Sequence, residues 1–289
     1  MADVVELASK AKINLTLAIT GRAENGYHLL DMLMQNVELS DTVRIEKADG
    51  IRVETNLFYL PTDRRNIAYK MAERFFAETG IRGGAAIRIT KRIPVAAGLA
   101  GGSGNGGAVL RGLNRLYETG LSLEEMQKLA FPVGSDIPFC LAGGAARVRG
   151  MGERVEPVKG LPPCTVLLVK PAFGIATEAA YKAFDRIVPA RTPDTEGMLS
   201  ALERGDLDDV GRLLCNHLEQ TARSDYPEIG EIEETMRRHG AVGASMSGSG
   251  PTVFGIFRDR RTAEKAASLL KKRWHDVFCV SPEASGTFS

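Results

Sequence analysis

Cysteine is scarce in this chain. Its 289 residues include four, Cys140, Cys164, Cys215 and Cys279, far apart and without a C-x-x-C pair. A disulfide framework is thereby excluded, and four neutral thiols of a reducing compartment are expected. The four histidines show no ligand spacing, so no structural zinc site and no metal-ligating side chains are expected. An excess of one charge is lacking too. The 37 basic residues face 36 acidic ones, a net charge of +1, which argues against a nucleic-acid partner. No apolar run reaches the roughly 18 to 20 residues of a bilayer crossing, so no membrane partner is expected. The opening "MADVVELASKAKINL" carries Asp3 and Glu6 and lacks a signal-peptide pattern. A cytoplasmic location follows as an expectation. Internal repeats and low-complexity blocks are also lacking.

The chain is long for one domain and comfortable for two. "VVELASKAKINLTLAIT" (Val4 to Thr20) alternates and is β-branched, predicting two strands or one long bent strand. Further strands are predicted through "LLDMLMQNVELS", "DTVRIEKA" and "GIRVETN". Arg65 to Gly80 has apolar residues at helical spacing and a terminal glycine cap. A strand follows over Ala85 to Pro94, and a helix is predicted over Asn105 to Gly120. Ser122 opens a short helix, and "AARVRGMGERVEPV" reads as a hairpin. The Pro- and Gly-rich "KGLPPC" looks like a boundary, opening onto the strand "TVLLVKP" and then helices, among them a continuous "DLDDVGRLLCNHLEQTA". Two strands around a glycine turn (Ala241 to Phe257), a helix and the strand "DVFCV" complete the pattern. The tail "SPEASGTFS" is expected to fray. This is an α+β pattern of two domains joined near residue 160.

Glycine is abundant, with 31 residues, and is densest in "IPVAAGLAGGSGNGGAVLRGLN" (Ile93 to Asn114). Each glycine costs backbone entropy on folding, so such a run implies a close approach or turns that side chains forbid. A strand, then glycines, then a helix is an anion-binding arrangement, because a helix N-terminus offers unpaired N–H groups and a positive dipole end. The Walker A pattern is absent. G-x-G-x-x-G occurs at Gly102, Gly104 and Gly107. A dinucleotide fold would place the strand directly before it and an acid at a second strand's end, whereas Glu124 and Glu125 lie in a helical pattern. Glycines that serve only tight helix packing are the other reading of the residues.

The run also resembles a specific design. Pro94, Gly98-Leu99, Gly101-Gly102-Ser103 and Asn105 are similar to the P-x-x-x-G-L-G-G-G-S-S-N phosphate loop of the GHMP small-molecule kinases. Four more stretches agree with that family in order. They are "KAKINLTL" (Lys10 to Leu17), "GYH" (Gly26 to His28), "GSDIPF" (Gly134 to Phe139) and "MSGSGPTVFG" (Met246 to Gly255). There are departures. Ala100 and Gly104 stand where the family usually has a glycine and a serine. Gly106 and Gly107 replace alanines, which weakens a helix start by roughly 1 kcal/mol each. The methyl of Ala100 is expected to narrow the approach of a phosphate.

The resemblance implies a two-domain GHMP kinase fold of α+β class. An N-terminal β-rich α/β nucleotide-binding domain would occupy 1–159, and a C-terminal ferredoxin-like α/β domain 160–289. It implies ATP and Mg2+ as cofactors, with Pro94, Val95, Ala96, Ala97, Gly98, Leu99, Ala100, Gly101, Gly102, Ser103, Gly104 and Asn105 along the phosphates and Asn66 and Lys91 near the nucleotide. Asp136 matches the family's catalytic base and Lys12 its catalytic lysine, an ammonium that favours the ionised carboxylate and holds the alcohol oxygen. Tyr27 and His28 match the lining of a cytidine pocket, and Asn14 and Thr177 match positions near the substrate. Ser247, Gly248, Ser249 and Gly250 would close the site. The implied substrate is a cytidine diphosphate-linked polyol, and the implied assembly a monomer or homodimer. From residue type alone, Asp136 reads first as a helix cap and Tyr27 as a surface aromatic, and Lys12 reads equally as a solvated edge lysine. A homoserine- or mevalonate-type kinase, a nicotinamide-dependent oxidoreductase and an RNA-binding module are the competing functions.

Overall fold

The computed structural model describes residues 4–283, and the expected fraying beyond residue 283 lies outside them. The elements, in chain order, are β1 (Val4–Arg22), β2 (His28–Ala48), β3 (Arg52–Thr55), α1 (Ile67–Thr79), β4 (Gly84–Thr90), α2 (Gly101–Leu116), α3 (Leu123–Ala130), α4 (Ile137–Ala142), β5 (Ala145–Gly150) and β6 (Arg154–Pro157). There follow β7 (Thr165–Lys170), α5 (Thr177–Phe184), α6 (Thr195–Arg204), α7 (Leu207–Leu213), β8 (Cys215–Asn216), α8 (His217–Asp225), α9 (Pro227–Arg238), β9 (Gly243–Met246), β10 (Val253–Phe257), α10 (Arg260–Leu270) and β11 (Asp276–Val280). Contacts group them into two units. One comprises the chain up to Ala11, Leu39–Ile93 and Ala100–Ala142; the other comprises Lys12–Glu38, Pro94–Leu99 and the chain from Gly143 on. The sequence boundary at 159/160 falls between β6 and β7.

In the first unit, the end of β2 pairs antiparallel with β4, from Thr42 opposite Thr90 to Ala48 opposite Gly84, and β3 lies parallel to β4. Side chains alternate across a strand, so Ile87 and Ile89 of β4 point inward while Arg88 and Thr90 point out. Helices α1 and α2 supply Met71, Phe75, Val109 and Leu113 to the same core. Full burial of side chains of this size stabilises by roughly 1.5–3 kcal/mol each. Asn66 caps α1 by accepting from Ala68 N, and Gly80 ends it in the left-handed region.

Helix α2 departs from the sequence expectation. It spans Gly101–Leu116, so it starts four residues earlier than the 105–120 predicted. The reason is packing. A Cβ at Gly104 would lie 2.6 Å from Ser9 Oγ, and one at Gly106 would lie 2.8 Å from Ile67 Cγ2. Glycine lets α2 press on β1 and α1, and that contact outweighs the poor helix propensity. The packing explanation therefore holds for this inner part of the run. The G-x-G-x-x-G match dissolves for the same reason: Gly102, Gly104 and Gly107 all lie inside the helix rather than in a strand-to-helix turn.

In the second unit, Leu30–Gln35 of β2 pairs antiparallel with β5, which pairs with β6. A separate four-stranded antiparallel sheet has the order β11-β7-β10-β9. Numbered within that sheet the order is 4-1-3-2 along a βαββαβ chain, which is the ferredoxin-like arrangement. β7 and β10 are its central strands, and each is almost wholly buried, as their continuous apolar runs require. The long helix expected through "DLDDVGRLLCNHLEQTA" is broken. Leu214 leaves helical geometry (φ −52°, ψ 124°), and Cys215 and Asn216 pair parallel with Thr16 and Leu17 of β1.

Glu233 of α9 is fully buried, with Arg223 and Arg237 at 3.4 and 3.3 Å. Burial first, and the charge of Glu219 second, push its carboxyl up to about 8 against the pull of the two arginines. A folded pKa above the unfolded value of about 4.3 means that the folded state holds an extra proton across that window. Stability from this group is therefore present at low pH and lost as pH rises towards 8. The melting temperature is expected to fall from pH 6 to pH 9, and Glu233→Gln to flatten that fall. Parallel pH profiles for the two proteins would exclude the effect.

Candidate active site

Lys12 and Asn14 point to one side of β1, two residues apart. Lys12 is 3% exposed, so the solvated-edge reading does not hold for it. A buried ammonium is tolerated only with partners. Its Nζ donates to Asn14 Oδ1 at 2.5 Å and to the Gly98 carbonyl at 2.8 Å. The Gly98 carbonyl also accepts from Ser247 Oγ at 3.0 Å. Segment Pro94–Leu99 thus lies between β1 and the second glycine loop: Lys12 N donates to Leu99 O, and Thr252 N to Ala97 O. Gly98 has φ +71°, and an added Cβ would stand 2.2 Å from the Ser247 carbonyl oxygen. Gly248 has φ +57°, and a Cβ there would meet Lys12 Nζ at 2.8 Å. Only glycine fits both positions. Across the same loop, Ser249 Oγ and Thr177 Oγ1 lie 3.1 Å apart.

Ala100, at φ +53° and ψ 26°, turns the chain into α2, and no side chain caps that helix. The glycine usual in the family would take this left-handed turn without the roughly 1–2 kcal/mol that alanine costs. The first intrahelical bond runs from Gly104 N to Ala100 O, so the N–H groups of Gly101, Gly102 and Ser103 have no partner within the helix. Unpaired N–H groups at a helix start favour an anion.

Beneath this turn lies a buried polar cluster that sequence reasoning missed at its centre. Asp41 is wholly buried and accepts from Arg92 N at 2.7 Å, Ile93 N at 2.8 Å and Asn105 Nδ2 at 2.9 Å. The Lys91 ammonium completes it, paired with Asp41 and 3.2 Å from Asn105 Oδ1. A Cβ at Gly101 would face Lys91 Nζ at 3.0 Å. Lys91 and Asn105 are thus brought together, while Asn66 is engaged locally, capping α1 and donating to Pro61 O at 2.8 Å. The only sequence signal for Asp41 was an acid within a β-branched strand, which reads as a turn residue or a solvated charge.

Asp136 precedes α4 and is half-buried, and its carbonyl oxygen accepts from Cys140 N.

Tyr27 and His28 leave a turn closed by Gly26, with Tyr27 N donating to Asn25 Oδ1. Tyr27 is 69% exposed, whereas His28 is fixed. Its ring stacks on Tyr181 at 4.7 Å, and its Nε2 lies 2.8 Å from Asp185 Oδ1. That hydrogen bond, and then Arg22, hold the Asp185 carboxyl below its usual range. Tyr181 and Asp185 were not singled out from sequence, because an aromatic and an acid one turn apart on a helix look like any amphipathic face.

These features, a left-handed turn at Ala100 into a helix without a side-chain cap and a buried lysine under a glycine loop, stand beside the family comparison. Residues 66–144 match the family described as GHMP kinases N terminal domain, and residues 198–276 match GHMP kinases C terminal. The chain belongs to the GHMP kinases. It is 43% identical to the 4-diphosphocytidyl-2-C-methyl-D-erythritol kinase of Caldicellulosiruptor saccharolyticus, over 92% of each chain. It is similar in structure to a crystallised 4-(cytidine 5'-diphospho)-2C-methyl-D-erythritol kinase, with TM-score 0.81 and 33% identity, covering 97% of this chain and 100% of that one. A homoserine kinase from Cytophaga hutchinsonii shares the fold, with TM-score 0.79 and 21% identity over 99% of this chain and 97% of that one.

Proposed function

We propose that this chain transfers the γ-phosphoryl group of ATP to the 2-hydroxyl of 4-diphosphocytidyl-2-C-methyl-D-erythritol, a step of non-mevalonate isoprenoid precursor synthesis. The observation that carries the phosphate end is the start of α2, which has no side-chain cap and whose first N–H groups, those of Gly101, Gly102 and Ser103, have no partner within the helix. The names of the relatives support the substrate, and so does the resemblance of the Tyr27–His28 pair to the family's cytidine pocket.

In the reaction, the bond between the γ-phosphorus and its bridging oxygen breaks, leaving ADP, and a new bond forms to the 2-oxygen of the polyol. Asp136 takes the hydroxyl proton as that bond forms. The Lys12 ammonium, oriented by Asn14 and the Gly98 carbonyl, neutralises charge on the reacting oxygens. By the resemblance, Asn66 and Lys91 serve the nucleotide side and Thr177 lies near the substrate, while Ser247, Gly248, Ser249 and Gly250 close the site. Among the described residues there is no cluster of three or more His, Cys, Asp or Glu that could hold a metal ion. A Mg2+ carried with ATP would spread the charge of its phosphates, and such an ion retains waters and takes few protein ligands.

No helix among the described residues is long and apolar enough to cross a membrane. A cytoplasmic monomer or homodimer without a nucleic-acid partner, divided into domains at 159/160, completes the proposal. Its test is the ratio of kcat/KM among the cytidine-bearing polyol, homoserine and mevalonate. The polyol should lead by orders of magnitude, and a preference for either other alcohol would overturn the assignment.

Tyr27→Ala addresses the cytidine end separately. Contacts remote from the reacting hydroxyl bind ground state and transition state alike, so their loss raises KM and spares turnover. Base stacking of roughly 1–3 kcal/mol predicts a KM increase of about 5- to 150-fold. ATP affinity should stay constant and competition by CDP should weaken in parallel. Steady-state kinetics with both substrates varied reads this, and an unchanged KM for the polyol would remove Tyr27 from the pocket.

A further inference from the structure

Residue Asn216 belongs to none of the family's glycine motifs. Its side chain is buried and fully used. Nδ2 donates to Met246 O and to Gly248 O, both at 2.8 Å, and Oδ1 accepts from Leu218 N at 2.9 Å, capping α8. Its backbone sits opposite Leu17 in the β8–β1 pairing. One carboxamide therefore ties together β1, the start of α8, the end of β9 and the glycine loop. Glu219, nearly one turn on, grips the same stretch. Its carboxylate accepts from Met246 N at 2.7 Å and from Ser245 Oγ.

What the grip controls is the distance between the loop and Lys12. Gly248 lies so close that a Cβ there would be 2.8 Å from Lys12 Nζ and 3.4 Å from Asn14 Oδ1. Ser247 shares the Gly98 carbonyl with Lys12. A shift of the loop would therefore change the surroundings of the ammonium.

We propose that Asn216, assisted by Glu219, is a positioning residue that fixes the Ser247–Gly250 loop against Lys12 and so sets the ammonium for phosphoryl transfer. The effect on transfer rests on the role given to Lys12 above; the effect on the loop does not.

Asn216→Ser is the informative variant. Serine caps a helix nearly as well as asparagine, so α8 keeps its start. It cannot supply two N–H donors to two carbonyls. The amides of Ser247 and Gly250, which bond within the loop, should exchange with solvent about 10-fold faster, while those of Val253–Phe257 stay within about twofold. Turnover should fall about 10- to 100-fold, the scale of a misplaced catalytic group, with KM for both substrates within about threefold. Leu270→Ala, a buried change on α10 in the same unit, is the control for lost stability and should keep its turnover. Glu219→Gln retains an acceptor for Met246 N and should work nearly normally, whereas Glu219→Ala should behave like Asn216→Ser. The Glu219 pair carries the same comparison if Asn216→Ser does not fold. Unchanged loop exchange in these variants, or an equal loss of turnover in Leu270→Ala, would overturn the proposal. A wild-type chain inactive on the polyol would count against the proposed function alone, since the exchange measurement still decides whether Asn216 holds the loop.

Discussion

Asp136→Asn is expected to lower turnover by roughly 10²–10⁴ while leaving ATP affinity nearly intact, the usual scale for a lost general base. The competing explanation for an acid before a short helix is capping. The substitution separates the two. The helix-starting bond at α4 uses the Asp136 carbonyl oxygen, which asparagine retains, and asparagine is as good a capping residue as aspartate. The variant should therefore melt within a degree or two of the wild type, so that any loss of rate is chemical. Rapid-quench turnover and calorimetric ATP binding read the two quantities. Near-normal turnover would remove Asp136 from the role of base. A loss of rate accompanied by an equal loss of stability would assign it to the fold.

Gly98→Ala should be strongly damaging. Two costs combine at this residue. A left-handed φ of +71° costs alanine roughly 1–2 kcal/mol. The new Cβ would also stand 2.2 Å from the Ser247 carbonyl oxygen and 2.9 Å from Gly250 N. Those are backbone atoms, which cannot swing aside as the tip of a side chain can, and overpacking of this kind costs roughly 1–3 kcal/mol more. The sum predicts a fall in melting temperature of roughly 5–10 °C. Activity should fall further than stability, by more than about 100-fold, because the Gly98 carbonyl is the acceptor shared by Lys12 and Ser247. Gly80→Ala is the control. Its φ is +67°, but no atom lies within 4 Å of the added Cβ, so it carries the conformational cost without the collision. Thermal unfolding and kinetics of the two variants together test the account. Gly98→Ala behaving no worse than Gly80→Ala would show that the close packing of the two loops has no consequence.

Much of this architecture is legible in the chain because its signals are local. The alternation of β1, the spacing of α1 and the continuous apolar run of β7 each report their own surroundings. The misses are places where a distant contact decides. The start of α2 cannot be read from glycines that weaken a helix, since what stabilises it is the approach of Ser9 and Ile67. The break at Leu214 is set by pairing of Cys215 and Asn216 with a strand some two hundred residues earlier in the chain. Asp41 draws its partners from Lys91, Arg92, Ile93 and Asn105, and no window of sequence contains them all. Lys12 shows the same limit: residue type left a solvated lysine as a reading, and burial removes it. The candidate site was legible as motifs in order, whereas the hydrogen bonds that orient its side chains were not.

The central claim is that phosphate passes from ATP to one particular hydroxyl of a cytidine-bearing polyol. Phosphorus NMR of the reaction of the purified chain with ATP, Mg2+ and 4-diphosphocytidyl-2-C-methyl-D-erythritol measures this directly. The account predicts ADP and, in equal amount, a new monoester resonance on the product, assigned by carbon–phosphorus coupling to the 2-position, with the diphosphate signals of the substrate preserved. ATP hydrolysis without a new ester, or an ester on any other oxygen, would contradict it.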